Sequence, residues 1–221
     1  MQNAATTIFD PGFLEFLKIH IDVHHSIYPT VPPQGIYFEA LVERTFSSIH
    51  KPMTVIKVGG TTQPRYEILF EDHRISLKTE TGKGTKSESI TITKLCTTEK
   101  EPWAPESLKA RVLAHLSRYD TILMLRAIWQ PNLMRYQLVE IPVPLLKLLD
   151  TGTPLPIGKR TGRQSLGMDV LRGDETVFRV HFDASDGKCS IRNLRIKNCR
   201  ILREWDKERP KLAVEAAPDL A

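Results

Sequence analysis

The stretch Thr121 to Ile128, TILMLRAI, constrains this chain more than any other. It is of strand length and nearly continuously apolar, and a strand apolar on both faces must be covered on both. It therefore predicts a buried central strand with a layer of structure on either side. Helical patterns upstream can supply one layer. Phe9 to His25 carries Phe13, Phe16, Leu17, Ile19 and Ile21 behind an Asp10-Pro11 start signal, and Pro29, Pro32 and Pro33 then break the chain. Ile36 to Ile49 is helical again, with Phe38, Leu41, Val42, Thr45 and Phe46 on one side and Glu39 and Glu43 one turn apart.

Between these helices and the central strand lie Met53 to Val58, a β-rich run ended by Gly59-Gly60, and a hairpin over Arg65 to Gly82. Ile90 to Leu95, ITITKL, alternates as a further strand, and Glu106 to Arg118 follows Pro102 to Pro105 as a helix with Leu108, Val112, Leu113 and Leu116 inward. After the central strand, Gln130-Pro131-Asn132 turns the chain into Arg135 to Ile141, and Pro142 to Leu149 closes with a short helix. The predicted fold class is α/β, a mixed sheet flanked by helices. From Thr151 the composition changes to Gly, Pro and basic residues. Short strands follow at Leu166 to Leu171, Thr176 to Phe182, Lys188 to Leu194 and Lys197 to Trp205, giving a β-rich basic lobe over 151–210 packed on a core over 1–150. The remainder, 211–221, reads as a flexible tail.

A chain of 221 residues suits one core with an appended lobe. No apolar run approaches the ~20 residues of a membrane span, so no membrane partner is expected. The N-terminal residues lack a signal-peptide pattern, and Cys96, Cys189 and Cys199 are odd in number without CxxC spacing. No disulfides and a reducing cytoplasm are expected. His20 and His24 are spaced i, i+4 but have no third ligand in HExxH spacing, so they read as surface or capping residues and not as a metal site. The net charge of +5 is uneven, with Lys and Arg concentrated from Lys159 to Arg203. Arg160, Arg163, Gln164, Ser165, Lys188, Arg192, Asn193 and Arg195 combine phosphate-pairing cations with side chains that read base edges, which points to nucleic-acid contact. Lys83 and Lys86, in the loop GKGTKSES, suit phosphate contact beside the hairpin.

The hairpin RYEILFEDHRISLKTETG gathers charge on one side of an apolar pair of strands. If Asp72 and His73 form the turn, Glu67 lies across from Lys78; if Glu71 and Asp72 form it, Glu67 lies across from Ser76. In both registers the acid shares a face with the lysine. Hydrolysis of a phosphodiester builds negative charge on phosphate and leaving oxygen, so it calls for hard cations held by carboxylates and a fixed positive charge nearby.

A glutamate-bearing helix (FEALVE), a hairpin with an acid on its first strand and an x-K pair on its second (ISLKTETG), then a helix leading to an apolar strand, resemble the PD-(D/E)xK nucleases. Among these the chain looks most like the type II restriction endonucleases, over roughly residues 36 to 142. The resemblance implies a restriction-endonuclease-like core. It implies Mg²⁺-dependent hydrolysis of double-stranded DNA at a short specific site, with Mn²⁺ as a substitute, by a cytoplasmic bacterial or archaeal homodimer in a restriction-modification pair. Carried over, Glu67 becomes the metal-binding acid and Lys78 the residue that orients or activates water. Ser76 stands where the second acid normally sits. Glu43, Glu80, Asp72 and Glu88 are the carboxylates that could replace it. The serine also favours the alternative of a non-catalytic nucleic-acid-binding regulator, and a structure-specific or RNA-directed nuclease is a further reading.

Overall fold

The computed structural model describes residues 9–50, 53–55, 68–70, 72–98, 102–158 and 163–209. Helix α1 (Pro11–Ile27) starts where its signal lies: Asp10 is extended and its carboxylate accepts the Phe13 N–H at 2.8 Å. Phe13, Leu17, Ile21 and His25 face inward, whereas Phe16 and Ile19 fall on a second, exposed stripe. Helix α2 (Ile36–Ser48) follows Gly35, whose φ of 48° suits a residue without a Cβ. It lays Phe38, Val42, Thr45 and Phe46 on the same core as α1.

Strands β1 (Met53–Val55), β2 (Ile68–Phe70) and β3 (His73–Glu80) form the expected antiparallel meander. Phe70 pairs with His73 and Ile68 with Ile75, which is the second of the two registers left open by the sequence. Strand β4 (Ser89–Thr97) and helix α3 (Pro105–Leu116) then carry the chain over to β5 (Thr121–Trp129). This crossover lets β5 pair parallel to β3, Lys78 beside Met124 and Glu80 beside Arg126. Strand β6 (Leu133–Pro142) returns antiparallel, followed by the short helix α4 (Val143–Lys147) and a 3₁₀ turn (Leu148–Thr151). Strands β7 (Leu155–Ile157), β8 (Ser165–Arg172), β9 (Glu175–Asp183), β10 (Lys188–Arg195) and β11 (Arg200–Glu208) complete the fold.

The strands form two sheets. The first runs β1-β2-β3-β5-β6-β11 and the second β4-β10-β9-β8-β7. As the apolar run predicts, every residue from Thr121 to Ile128 is buried. Leu123, Leu125 and Ala127 point into the core under α1 and α2. Ile122 and Met124 point the other way, into a larger core shared by α3 and the second sheet. The architecture is the mixed α/β fold with covered sheets that the sequence implies.

Strand partnership is where periodicity gives no guidance, and each sheet draws on chain from both sides of residue 150. β4 joins the second sheet through β10, because Ile90, Ile92 and Cys96 line up with Leu194, Ile191 and Cys189 over the shared core. β11 leaves its neighbours in sequence and edges the first sheet. Cross-strand pairs hold it there: Trp205 stacks on Tyr136 with ring centres 5.4 Å apart, and Arg135 and Arg200 pair with Asp206 and Glu140. None of the three cysteines is in a disulfide, and no helix among the described residues is long and apolar enough to cross a membrane.

Candidate active site

The β3 strand sorts its side chains by alternation. Ser76, Lys78 and Glu80 share one face, and Ile75, Leu77 and Thr79 the other. Lys78 lies half-buried at a cleft of about 220 Å³, walled by Leu77 and Thr79 of β3, Ile92, Thr93 and Lys94 of β4, and the start of α2 with Gly35, Phe38 and Glu39. Its ammonium donates to the Leu77 carbonyl at 2.9 Å. Two lysines and the positive end of the α2 dipole therefore border the same space as the Glu39 carboxylate. An anion meets favourable charge there, and a carboxylate is at hand for a hard cation.

Glu80 sits one residue pair further along β3 and has different partners. Its Oε1 accepts the Thr91 N–H at 2.8 Å and its Oε2 accepts from Arg126 Nε at 2.8 Å. Burial pushes its carboxyl upward, and the Arg126 and Thr91 hydrogen bonds pull it back down. Arg126 is wholly buried within β5. Its other donors reach Gln137 Oε1 and the carbonyls of Lys86 and Ser89, and Gln137 in turn donates to Glu204. Arg126 thus fastens the end of β3 to the loop that carries Lys83 and Lys86.

The other predicted residues are spread out. Glu67 lies outside the described residues. Ser76 is fully buried beside Ile122, so a carboxylate in its place would be desolvated. Asp72 is exposed in the β2–β3 turn, six residues from Lys78, or roughly 20 Å at strand rise. Glu43 is half-buried on α2, one turn beyond Glu39, and Glu88 is exposed in the loop before β4, accepting from Ser87. Among the described residues no three His, Cys, Asp or Glu side chains cluster closely enough to hold a metal ion. His20 contacts the Thr45 hydroxyl at 2.9 Å, and His25 is a core residue, bonded to the Tyr136 hydroxyl and the Glu208 carbonyl.

The basic residues fall into two groups at opposite ends of the second sheet. Ser89 pairs with Arg195, and Ile196 N–H donates to the Glu88 carbonyl, so Asn193 and Arg195 lie beside the exposed Lys83 and Lys86 loop. Asn193 takes φ 53° at an irregularity of β10, where its side chain is exposed. At the far end Arg163 stacks 3.7 Å over Trp103, the Gln164 carbonyl accepts from the Trp103 indole, Ser165 Oγ caps Ala184 N–H, and Lys188 pairs with Asp186. Arg192, between the two groups, bonds the His181 ring at 2.9 Å. Arg160 lies outside the described residues.

Sequence reasoning missed three residues around this site. Glu39 is distinguished from Glu43 only by where α2 meets the cleft. Arg126 did carry a signal, as the single charge inside an apolar strand, since an arginine buried this deeply needs partners. His115, on α3, is held down to about 3 by burial and by the charges of Lys78, Arg118 and Arg111. Its ring packs edge-on against Tyr119, with centroids 5.0 Å apart.

The covered mixed sheet and its lysine-and-acid cleft belong to a chain whose sequence matches the model of the type II site-specific deoxyribonucleases over residues 1–207. The chain belongs to the SmaI family of these enzymes. It is similar to the type II restriction enzyme SmaI of Serratia marcescens, 26% identical over 212 residues, which span 93% of this chain and 83% of that enzyme. No solved structure matches it.

Proposed function

We propose that this protein is a sequence-specific endonuclease of the PD-(D/E)xK type that hydrolyses phosphodiester bonds of double-stranded DNA with Mg²⁺, acting as a homodimer. The observation that carries the site is the placement of Lys78 and Glu39, from distant parts of the sequence, in one cleft at the edge of β3. Family membership supplies the reaction class. Glu67, with Glu43 and Glu39 on α2, would hold the cation, because carboxylate oxygens are the donors a hard divalent ion takes. The ion would supply Lewis-acid stabilisation of the phosphate and its leaving oxygen. Lys78 orients the attacking water and offsets charge as it builds on the phosphate. Glu80, already bonded to Arg126, shapes the strand that presents Lys78.

In this reading the chain to about residue 150 provides the cutting machinery, and 151–210 contributes most of the base readout. Lys83, Lys86, Asn193 and Arg195 would grip DNA near the cleft, and Arg163, Gln164 and Lys188 would extend the contact. The experiment is plasmid cleavage with Mg²⁺ or Mn²⁺ across varied sequences, with Lys78→Ala and Glu67→Ala beside the wild type. Both variants should lose at least about 100-fold in rate while still binding DNA in Ca²⁺. Intact plasmid with folded wild-type protein would overturn the nuclease reading. It would favour a nucleic-acid-binding regulator, the alternative to which the buried Ser76 gives weight.

A further inference from the structure

Helix α1 is apolar on two sides. Its inner stripe, Phe13, Leu17, Ile21 and His25, is buried, but Phe16, Ile19, Val23 and Ile27 repeat at three- and four-residue intervals along the outside. The patch continues off the helix. His24 contacts the rings of both Tyr28 and Tyr37, with centroids 5.2 and 6.1 Å away, and so joins the stripe to the start of α2, where Ile36 is also exposed. Exposure runs from 40% for Phe16 to 73% for Ile36.

Solvated helices do not need this. A run of exposed large apolar residues on neighbouring elements marks an interaction site. The charges around it argue against a polyanion: Lys18 is paired with Asp22 and Arg203 with Glu15. They equally argue against an anionic lipid surface. Ile19 and Ile27 lie four residues to either side of Val23. A twofold axis through Val23 would set Ile19 of one copy against Ile27 of another, which is the self-complementarity an isologous interface requires.

We infer that the outer face of α1, with Tyr28, Ile36 and Tyr37, is the surface on which a second copy of this chain docks, α1 crossing α1 antiparallel. The inference rests on the homodimer proposed above and assigns its surface. Gly35 and Glu39 of the cleft flank Ile36 and Tyr37 in sequence, so docking would also fix the end of α2 that borders Lys78.

Light scattering of the full chain across a concentration series tests this, with Val23→Glu, Ile19→Glu and Val23→Cys variants and circular dichroism to confirm that each is folded. Wild type should measure as a dimer, each glutamate should weaken association by about 100-fold or more, and Val23→Cys should cross-link to itself under mild oxidation. Ile201→Cys, exposed on β11, is the control that should not. A wild type that stays monomeric at every concentration removes the dimer altogether. A dimer that survives both glutamate variants leaves the dimer standing and refutes this surface.

Discussion

Replacing Arg126 with methionine isolates the contribution of the buried clamp. The guanidinium is entirely inaccessible and its partner carboxylate, Glu80, exposes only 12% of its side chain, so solvent screens the pair very little. Methionine fills much of the space but leaves the Glu80 carboxylate without its cation, bonded to Thr91, and leaves the carbonyls of Lys86 and Ser89 and the Gln137 amide oxygen without the Arg126 donors. Removing one member of a buried pair costs about 3–5 kcal/mol. For a chain of this length that is a fall in Tm of roughly 6–20 °C, and a large share of the ~5–15 kcal/mol that holds a domain folded.

The assay is urea unfolding followed by circular dichroism, on Arg126→Met, Glu80→Met and the double variant. The double variant removes the stranded charge as well, so it should recover about 1 kcal/mol or more relative to the sum of the single losses. pH gives a second reading. Losing the cation raises the Glu80 carboxyl still further, and an acid raised in the folded state is stabilising when protonated, so the Arg126→Met deficit should shrink as pH falls. A loss below about 1 kcal/mol, or strictly additive single losses, would refute the claim that these two charges depend on each other.

Other outcomes follow from the same geometry. Lys83→Ala and Lys86→Ala should each lower the slope of log affinity for DNA against log salt by about 1, with cleavage chemistry unchanged at saturating DNA; unchanged slopes would remove the loop from the DNA contact. His115 has its pKa depressed from 6.5 to about 3. The fold therefore favours the neutral ring, and the stability this provides is present above pH 6.5 and lost as pH falls, at up to about 1.4 kcal/mol per unit. His115→Phe should flatten that part of the stability profile, and Lys78→Ala should flatten it in part, since it removes one of the charges opposing protonation. Glu39→Gln should reduce cleavage more than Asp72→Asn, because Glu39 lies in the cleft and Asp72 roughly 20 Å along the strand; the reverse order would move the acid away from α2.

The elements of this protein were legible because each is decided locally. Alternation located β3, β4 and β6, the unbroken apolar run located β5, and Asp10-Pro11 marked the neighbourhood in which α1 starts. Lys78 could be singled out for the same reason, as one charge on a short strand beside acids.

What joins these elements is not local. Nothing in the period of Ile90 to Leu95 says that it pairs with β10, or that the last strand leaves the lobe for Tyr136 and Glu140; those choices rest on side chains far apart in sequence meeting over a shared core. The same holds at the site. Glu80 and Glu39 are equally good carboxylates on paper, and only packing commits the first to Arg126 and brings the second to Lys78. The sequence determined which chemistry was on hand, through residue type and spacing. Tertiary structure decided which groups face each other, because burial and cross-strand contact act between residues that the chain order keeps apart.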